Sequence, residues 1–402
     1  MNRLIYMDNA ATTSVKPEVV ESMLPYFTEE YANPSSIYNF AQKTKNAVED
    51  ARAVIADMLS ADKPNEIYFT AGGSESDNWA LKAAAETFKD KGNHIITTKI
   101  EHHAILHTCE WLSKHGYEVT YLDVDEHGLV DTEEFRAAIR DNTIIASVMF
   151  ANNEIGSVQP IKELGAIAHS KGVVFHTDAV QAFAHIPINV ADMNIDMLSA
   201  SGHKFHGPKG TGFLYLSNKV KIGSLSASGC AHSSCWQAEQ RSRRAGTLNV
   251  PGIIGMAKAA ELACKTMDKD SEHMAHIRDY MIDRISSEIP YAILNGDKEK
   301  RLPGNIHFSF RYVAAEPLLI MLDQKGICVS AGSACASGSI DPSHVLLATG
   351  VPKDIAKSSI RMTIGEDITK EEADYAVDEL KAVVERLRSM SPEYAEYIAS
   401  QS

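Results

Sequence analysis

The chain has 402 residues, of which 44% are hydrophobic and 23% are charged. This length and composition predict a soluble globular protein with one large domain and a second, smaller one. The formal net charge of -14 argues against direct nucleic-acid binding, because a surface that binds phosphates needs an excess of basic residues.

The sequence predicts a cytoplasmic protein without a membrane span. No run of about 18 apolar residues occurs, and the start, MNRLIYMDNAATT, lacks the apolar core of a secretory signal. The cysteines are scattered through the chain and do not form the dense pattern of a small disulfide framework, so we expect reduced thiols. They are Cys109, Cys230, Cys235, Cys264, Cys328 and Cys335.

Short apolar runs alternate with helical patterns through the first half of the chain. The predicted strands are IYFT (67–70), HIITT (94–98), EVTYLDV (118–124), TIIASVMF (143–150), VVFHT (173–177), MLSA (197–200) and GFLYL (212–216). Helical patterns such as SESDNWALKAAAETF separate several of these runs. The alternation predicts an α/β fold with a mainly parallel sheet and helices on both faces.

The pattern changes near residue 262, where longer helices and short strands follow one another. The helical segments begin at CKTMDK (264–269) and KEEADY (370–375), and the strands are NIHFSF (305–310) and SIRMTI (359–364). We therefore predict a large α/β domain over 15–261. Residues 1–14 and 262–402 are predicted to form a small α+β domain.

Several polar residues follow closely after the predicted strands. In a parallel sheet, ligands bind at the carboxyl ends of the strands, so these side chains are expected to share one crevice. They are Gly73, Ser74, His102, Asn153, Asp178 and Lys204.

Lys204 lies in the stretch SGHKFHGPKG, a connection rich in Gly and Pro between two predicted strands. One interpretation is a turn lysine whose ammonium group reaches water along its aliphatic stem. The other is a lysine that condenses with the aldehyde of a cofactor, a reaction typical of desolvated lysines. The stretch alone leaves both open.

The neighbouring motifs also have two interpretations each. Asp178 could pair with the ring nitrogen of a pyridoxal cofactor or cap a helix. The sequence Gly72-Gly73-Ser74 could bind a phosphate at a helix start or form a simple turn. His102 could stack on a cofactor ring or lie at a solvated helix start.

Motifs in order along nearly the whole chain resemble those of the NifS/IscS-type cysteine desulfurases. They are MDNAATT (7–13), NPSS (33–36), FTAGGSESDN (69–78), EHHAIL (101–106), NNEIG (152–156), HTDAVQA (176–182), SGHKFHGPKGTGFLY (201–215), RRAGTLNV (243–250), SAGSACASG (330–338) and SSIRMTIG (358–365). Those enzymes use pyridoxal 5'-phosphate and have the aspartate-aminotransferase fold, pyridoxal-phosphate fold type I. The resemblance implies that the large domain, 15–261, has a mainly parallel seven-stranded sheet and binds the pyridoxal phosphate. It also implies that the small domain, 1–14 and 262–402, carries the loop of the catalytic cysteine.

The resemblance implies a role for each residue around the cofactor ring. Lys204 would form the Schiff base, Asp178 would pair with the pyridinium nitrogen, and His102 would stack on the ring. Gln181 would donate a hydrogen bond to the phenolate oxygen. Lys204 and His102 would thus be catalytic residues.

The resemblance also implies contacts to the phosphate and to the substrate. Phosphate contacts would come from Gly73, Ser74, Ser201 and His203, with Thr247 from the other subunit of a homodimer. Asn153 would contact the cofactor and, together with Arg361, would bind the carboxylate of L-cysteine. A carboxylate suits the guanidinium group of an arginine.

Cys335 lies in VSAGSACASGSIDPSH, a run of small residues. A buried structural cysteine is the alternative, but this composition offers little to anchor a core. By resemblance, the Cys335 thiolate would attack the substrate sulfur, giving L-alanine and a persulfide on Cys335. Cys109, Cys264 and Cys328 are predicted to be structural.

The stretch ASGCAHSSCWQAEQ departs from the family pattern and contains Cys230, His232 and Cys235. These residues offer fewer ligands than the four of a structural zinc site, so no metal is predicted. A loop insertion near the neighbouring active site is the favoured interpretation. Tyr38 also stands where the family commonly has a His.

The leading hypothesis is a cysteine desulfurase that supplies sulfur for iron–sulfur clusters, thio-cofactors or tRNA. Its acceptor would be a protein such as an iron–sulfur scaffold. A selenocysteine lyase acting on L-selenocysteine shares nearly all the motifs. A catalytically poor docking subunit is the alternative outside the enzymes, although intact Lys204, Asp178, Arg361 and Cys335 argue against it.

Overall fold

The computed structural model describes residues 4–222, 240, 243–332 and 342–401. The strands within these ranges are β1 (Ile5–Tyr6), β2 (Ile67–Thr70), β3 (His94–Thr98), β4 (Glu118–Leu122), β5 (Thr143–Ser147), β6 (Val174–Asp178), β7 (Met197–Ser201), β8 (Gly212–Leu216), β9 (Ala292–Leu294), β10 (Asn305–Phe310), β11 (Ile327–Cys328) and β12 (Ser359–Thr363). The helices are α1 (Pro17–Met23), α2 (Pro25–Thr28), α3 (Asn39–Met58), α4 (Gly73–Phe88), α5 (His103–Ser113), α6 (Thr132–Ala138), α7 (Ile161–Ser170), α8 (Val250–Glu288), α9 (Ala315–Asp323), α10 (His344–Ala348), α11 (Lys353–Ala356), α12 (Lys370–Ser389) and α13 (Pro392–Gln401).

Strands β2 to β8 form one seven-stranded sheet in the order β2-β8-β7-β6-β5-β3-β4. Every neighbouring pair is parallel except those made by β8, which runs antiparallel to β2 and β7. The predicted α/β fold with a mainly parallel sheet is therefore confirmed. Because the strands β3, β5, β6 and β7 run the same way, their carboxyl ends meet at one edge, where ligands bind in such sheets.

Helices cover both faces of this sheet, as the alternation of elements predicts. Successive residues of a strand point to opposite faces, so Tyr68 packs with Trp79 of α4, while Phe69 packs in the core that includes Ile55 of α3. All five residues of β7 are buried, which is typical of a strand with helices above and below it. This double cover excludes water from both sides of the sheet.

A second set of strands and helices packs beyond the large sheet. Strands β12, β10 and β9 form an antiparallel sheet, and β1 pairs with β11. Their core includes Met281, Phe308, Ile360 and Leu380, contributed by α8, β10, β12 and α12. These are the helices and short strands predicted for the second part of the chain.

Helix α8 has 39 residues and reaches both cores. The predicted boundary between 261 and 262 falls inside this continuous helix, and the division into 15–261 and 1–14 with 262–402 stays a prediction. Despite the length of α8, no helix among the described residues has an apolar stretch long enough to cross a membrane.

Candidate active site

Lys204 ends a tight turn, Gly202–Lys204, directly after β7. A Cβ at Gly207 would lie 2.8 Å from the Gly202 carbonyl oxygen, so this turn requires a glycine. The Lys204 Nζ atom donates to the carbonyl oxygens of Ala10 (2.5 Å) and Ala11 (2.9 Å). Lys204 is half-buried with its ammonium group bound to these carbonyls, which favours the cofactor-binding interpretation, whereas Lys209 of the same connection is exposed.

Asp178 is the last residue of β6 and is only 5% exposed. Its Oδ1 accepts a hydrogen bond from Val180 N (2.9 Å), and its carbonyl accepts one from Phe150 N (2.8 Å). Burial raises the pKa of this carboxyl, while the Val180 hydrogen bond and the Lys204 ammonium lower it. Because a buried carboxylate is costly without a cationic partner, this position suits a protonated ring nitrogen.

Two further acids are buried near Asp178, and the sequence did not predict them. Asp77 Oδ1 and Glu101 Oε2 have no hydrogen-bond partner among the described residues. Burial, with the nearby Asp178 charge, raises the pKa of Asp77 well above its usual value, and burial raises that of Glu101 to about 8. Glu101 therefore holds a proton at neutral pH, and Asp178 is the acid of the three whose ionised form the Lys204 ammonium favours.

His102 is the N-cap of α5 and lies close to Lys204. Its Nδ1 accepts a hydrogen bond from Ala104 N (3.1 Å), which defines that nitrogen as the unprotonated one. Burial, followed by the Lys204 charge, lowers the pKa of His102 to about 4. His102 does begin a helix, but it presents a neutral, half-buried ring beside the lysine, and this fits a stacking residue.

The start of α4 forms a cradle beside Ser201. Gly72 has a φ of 152°, and a Cβ at Gly73 would lie 2.5 Å from Val180 Cγ2, so side chains are excluded at both positions. No described side chain caps this helix. Its first N–H groups and its dipole therefore suit an anion such as a phosphate.

The remaining predicted phosphate residues differ in exposure. Ser201 is buried and lies against Gly72 and Gly73, whereas Ser74 is exposed in the first turn of α4. His203 Nδ1 is 3.2 Å from Thr12 Oγ1, and burial, with the Lys204 charge, lowers the pKa of His203 to about 4. A pyridoxal phosphate thus fits this set: a lysine, a buried acid, a neutral ring and an uncapped helix start.

Arg361 lies on β12 with 1% of its surface exposed. Its Nη1 donates to the Asn153 carbonyl oxygen (3.0 Å) and its Nη2 donates to Asp8 Oδ1 (2.8 Å). Its Nε is buried without a hydrogen-bond partner among the described residues. The structure thus brings together the two residues predicted to bind the substrate carboxylate, and the guanidinium group keeps unused donors.

The segment of residues 8–13, here called the 8–13 segment, contacts several predicted site residues. Besides Lys204 and Arg361, it reaches Gln181, whose Nε2 donates to the Ala10 carbonyl oxygen (3.0 Å), and His203 through Thr12. Its sequence, DNAATT, belongs to the motif MDNAATT, and the sequence predicts no role for it. A local sequence pattern cannot predict these contacts, because the partner residues are more than 150 positions away along the chain.

Glu154 contacts the described residues on either side of 333–341. Ser343 Oγ donates to Glu154 Oε2 (2.5 Å), and a Cβ at Gly332 would lie 3.0 Å from the same oxygen. Glu154 is 1% exposed and follows Asn153 directly. Gly332 and Ser343 therefore lie beside the candidate carboxylate site.

Four of the predicted residues lie outside the described residues, and the prediction for Cys264 is wrong. Cys335, Cys230, His232 and Cys235 lie outside them, so their roles stay predictions, and the described part of the chain has no group of three potential metal ligands. Cys109 is buried and Cys328 half-buried, but Cys264 is exposed on α8, so its interpretation as a structural cysteine is wrong.

Thr247 is exposed, and Arg244, three residues before it, forms an ion pair with α4. Arg244 Nε and Nη2 donate to the two oxygens of Glu75 in the first turn of α4, at 2.9 and 3.3 Å. The Gln240 side chain exchanges hydrogen bonds with the Phe69 backbone, both of 2.7 Å. No described contact joins Thr247 to the cradle of its own chain, and its predicted role toward a second subunit stays untested.

Comparisons with known proteins agree with this geometry. The aminotransferase class-V family matches residues 5–376, so the chain belongs to that family. It is 51% identical over 403 residues to "Cysteine desulfurase IscS" of Clostridium botulinum, covering 100% of this chain and 99% of the relative. It is 52% identical over 391 residues to the protein of the same name from Methanosarcina thermophila, covering 97% and 94%. Within the class-V family, the chain thus belongs to the cysteine desulfurases.

Solved structures give the same result. A "NIFS-LIKE PROTEIN" superposes with a TM-score of 0.87 at 35% identity, covering 95% of this chain and 100% of that one. A structure of "SspA in complex with cysteine" has a TM-score of 0.78 at 36% identity, covering 90% and 99%. The predicted resemblance, fold type, pyridoxal-phosphate dependence and cysteine desulfurase activity are confirmed.

Proposed function

We propose that this cysteine desulfurase transfers the sulfur of L-cysteine to Cys335, releases L-alanine and passes the sulfur to an acceptor protein. The observation that carries this proposal is the convergence of Lys204, Asp178 and His102 at one sheet edge, with Arg361 reached through the 8–13 segment. This arrangement disfavours a catalytically poor docking subunit, because the side chains that would bind the cofactor and the substrate carboxylate lie together.

Eight side chains and the start of helix α4 would hold the cofactor. Lys204 would bind it covalently, Asp178 would pair with its ring nitrogen, Gln181 would donate to its phenolate oxygen, and His102 would stack on its ring. The phosphate would be held by Gly73, Ser74, Ser201 and His203, with Thr247 from a second subunit. When bound, the cofactor supplies an electron sink for the substrate's α-carbon.

The chain's own residues would then bind and cleave the substrate. Arg361 and Asn153 would hold the α-carboxylate, and Lys204 Nζ would move the α-proton. The Cys335 thiolate would attack the substrate sulfur: the new S–S bond forms, the Cβ–S bond breaks, and its electron pair passes to the alanine product, which takes up a proton. This role of Cys335 is supported by the position of Gly332 and Ser343, which flank it in the sequence and lie beside Glu154, the residue after Asn153.

We further propose a homodimer, because several large apolar side chains are exposed on α1, α2 and the start of α3, here called the apolar surface. Ile37 is 95% exposed, and large patches of this kind usually mark an interaction site. Its other members are Val20, Leu24, Phe27, Tyr31, Tyr38 and Phe40. A second copy would cover this surface and would bring Thr247 to the cradle of its neighbour.

Light scattering on the purified protein is expected to give about twice the 44.0 kDa chain mass. Replacing Ile37 and Phe27 together with Asp should shift the protein toward the monomer, because charges would be buried at the contact. Ile320→Asp, a change of an exposed apolar residue on α9 outside this surface, is the matched control. A monomeric wild type would contradict the homodimer.

The activity test is a single turnover with L-cysteine in the absence of reductant. We expect about one alanine per active site and an equal amount of cyanide-labile sulfur on the protein, because the persulfide blocks a second cycle. Adding a dithiol should restore continuous alanine and sulfide release. Alanine formation from L-selenocysteine alone, with none from L-cysteine, would instead support the selenocysteine lyase.

Cytoplasmic localisation and an acceptor such as an iron–sulfur scaffold protein are part of the same proposal. The acceptor would take the terminal sulfur of the Cys335 persulfide by thiol exchange. Transfer of labelled sulfur from the persulfide form to a candidate acceptor, measured without free sulfide, tests this step.

A further inference from the structure

Asp8 makes the direct ionic contact to Arg361 in this structure. Its Oδ1 accepts a hydrogen bond from Arg361 Nη2 at 2.8 Å, and Arg361 is 1% exposed. We propose that Asp8 is the positioning residue for substrate-carboxylate binding: it orients the Arg361 guanidinium group and leaves the correct donors for the carboxylate of L-cysteine. This inference rests on the proposed role of Arg361.

The surroundings of Arg361 explain why Asp8 is needed. Its backbone is fixed by β10 and by paired hydrogen bonds with Ser330, but the backbone does not orient a long side chain. Opposite it on β10, His307 is buried, and burial lowers its pKa to about 3, so it is neutral. Glu154 is buried and accepts from Ser343, and no hydrogen bond joins it to Arg361 among the described residues. Asp8 is thus the anion in direct contact.

Asp8 is itself held firmly. Its carbonyl oxygen accepts hydrogen bonds from Ala11 N (2.9 Å) and from the Tyr6 hydroxyl (3.1 Å). Two residues later, Ala10 N donates to Thr363 Oγ1 (2.9 Å), on the same strand as Arg361. The turn that starts at Asp8 also directs the Ala10 and Ala11 carbonyls at Lys204. One short turn therefore relates the position of the substrate arginine to that of the catalytic lysine.

The donors that remain determine what Arg361 can bind. An arginine side chain has about five N–H donors in one plane, and here Asp8 and the Asn153 carbonyl each take one. The remainder, including the unpartnered Nε, match a planar carboxylate that accepts a pair of parallel hydrogen bonds. Because Asp8 already neutralises much of the Arg361 charge, the carboxylate is selected by geometry more than by net charge.

The experiment compares L-cysteine with cysteamine, which has the same amine and thiol but no carboxylate. The holoenzyme is titrated with each ligand, and the concentration that gives half of the change in cofactor absorbance is measured. For Asp8→Ala we expect a 10- to 100-fold weaker response to L-cysteine, the range for losing a charge-assisted hydrogen bond that orients a partner. The response to cysteamine should change by less than about twofold, because the Arg361 donors do not contact it.

Asp8→Asn provides the test if Asp8→Ala does not fold. The amide oxygen still accepts from Arg361 Nη2 but carries no charge, so L-cysteine binding should weaken about 3- to 10-fold, again without an effect on cysteamine. Tyr6→Phe is the matched control, because it removes the hydroxyl next to the Asp8 carbonyl and leaves the carboxylate. It should change the half-saturating concentration of neither ligand by more than about twofold.

Equal weakening for both ligands, or no weakening for L-cysteine, would overturn the role of Asp8. Arg361→Gln in the same titration separates this inference from the proposed function. If Arg361→Gln weakens the binding of L-cysteine and of cysteamine equally, or weakens neither, the carboxylate role of Arg361 is wrong. If Arg361→Gln weakens the binding of L-cysteine but not of cysteamine, and the Asp8 variants do not, only the role of Asp8 is wrong.

Discussion

Lys204→Ala is expected to reduce alanine formation from L-cysteine by about a thousandfold or more, because it removes both the covalent anchor of the cofactor and the group that moves the α-proton. The protein should lose its absorbance at the edge of the visible range on dialysis, since only hydrogen bonds and the helix start would hold the cofactor. Alanine release and the absorbance spectrum before and after dialysis measure the two effects.

Lys209→Ala is the matched control for this change. Lys209 lies in the same Gly- and Pro-rich connection but is exposed, so its removal should alter turnover by no more than about twofold. A Lys204→Ala protein that keeps substantial turnover would contradict the assignment of the anchoring lysine. A colourless wild type that stays inactive with added pyridoxal phosphate would contradict the cofactor site itself.

The elements of the large sheet were predictable because each strand is a short apolar run between turn residues. Some predicted strand ends differ from the observed ones, because apolar residues continue beyond the last regular pair of the sheet. The predicted strand 143–150 ends at Ser147, although the amides of Val148 and Phe150 still donate to the neighbouring β6. Helix α8 begins well before 264, and its signal was present in the sequence: Asn249 is an N-cap and Pro251 stands in the first turn.

The candidate site was partly predictable for a simple physical reason. Parallel strands end at one edge, so residues placed after successive strands, such as His102, Asp178 and Lys204, were expected to meet. Contacts between Asp8 and Arg361 join positions 353 residues apart, and hydrophobic periodicity carries no information about them. The buried acids Asp77 and Glu101 were missed because a carboxyl in a helical or loop pattern is normally assigned to the surface.

Cys335→Ser should retain the cofactor and the absorbance change with L-cysteine, but alanine formation should fall by about a thousandfold or more. A serine hydroxyl is not ionised near neutral pH and is a poor nucleophile toward sulfur, whereas the earlier steps need only Lys204 and the carboxylate site. The cofactor absorbance, the alanine yield in one turnover and the cyanide-labile sulfur on the protein distinguish these steps.

Cys264→Ser is the matched control, because Cys264 is a cysteine exposed on α8 and outside the candidate site. It should leave alanine formation within about a factor of two of the wild type. If Cys335→Ser kept most of its activity, the nucleophile would have to be another thiol, and Cys230 and Cys235 would be the next to replace. If Cys335→Ser also lost the absorbance change with L-cysteine, the thiol would act in substrate binding before any sulfur transfer.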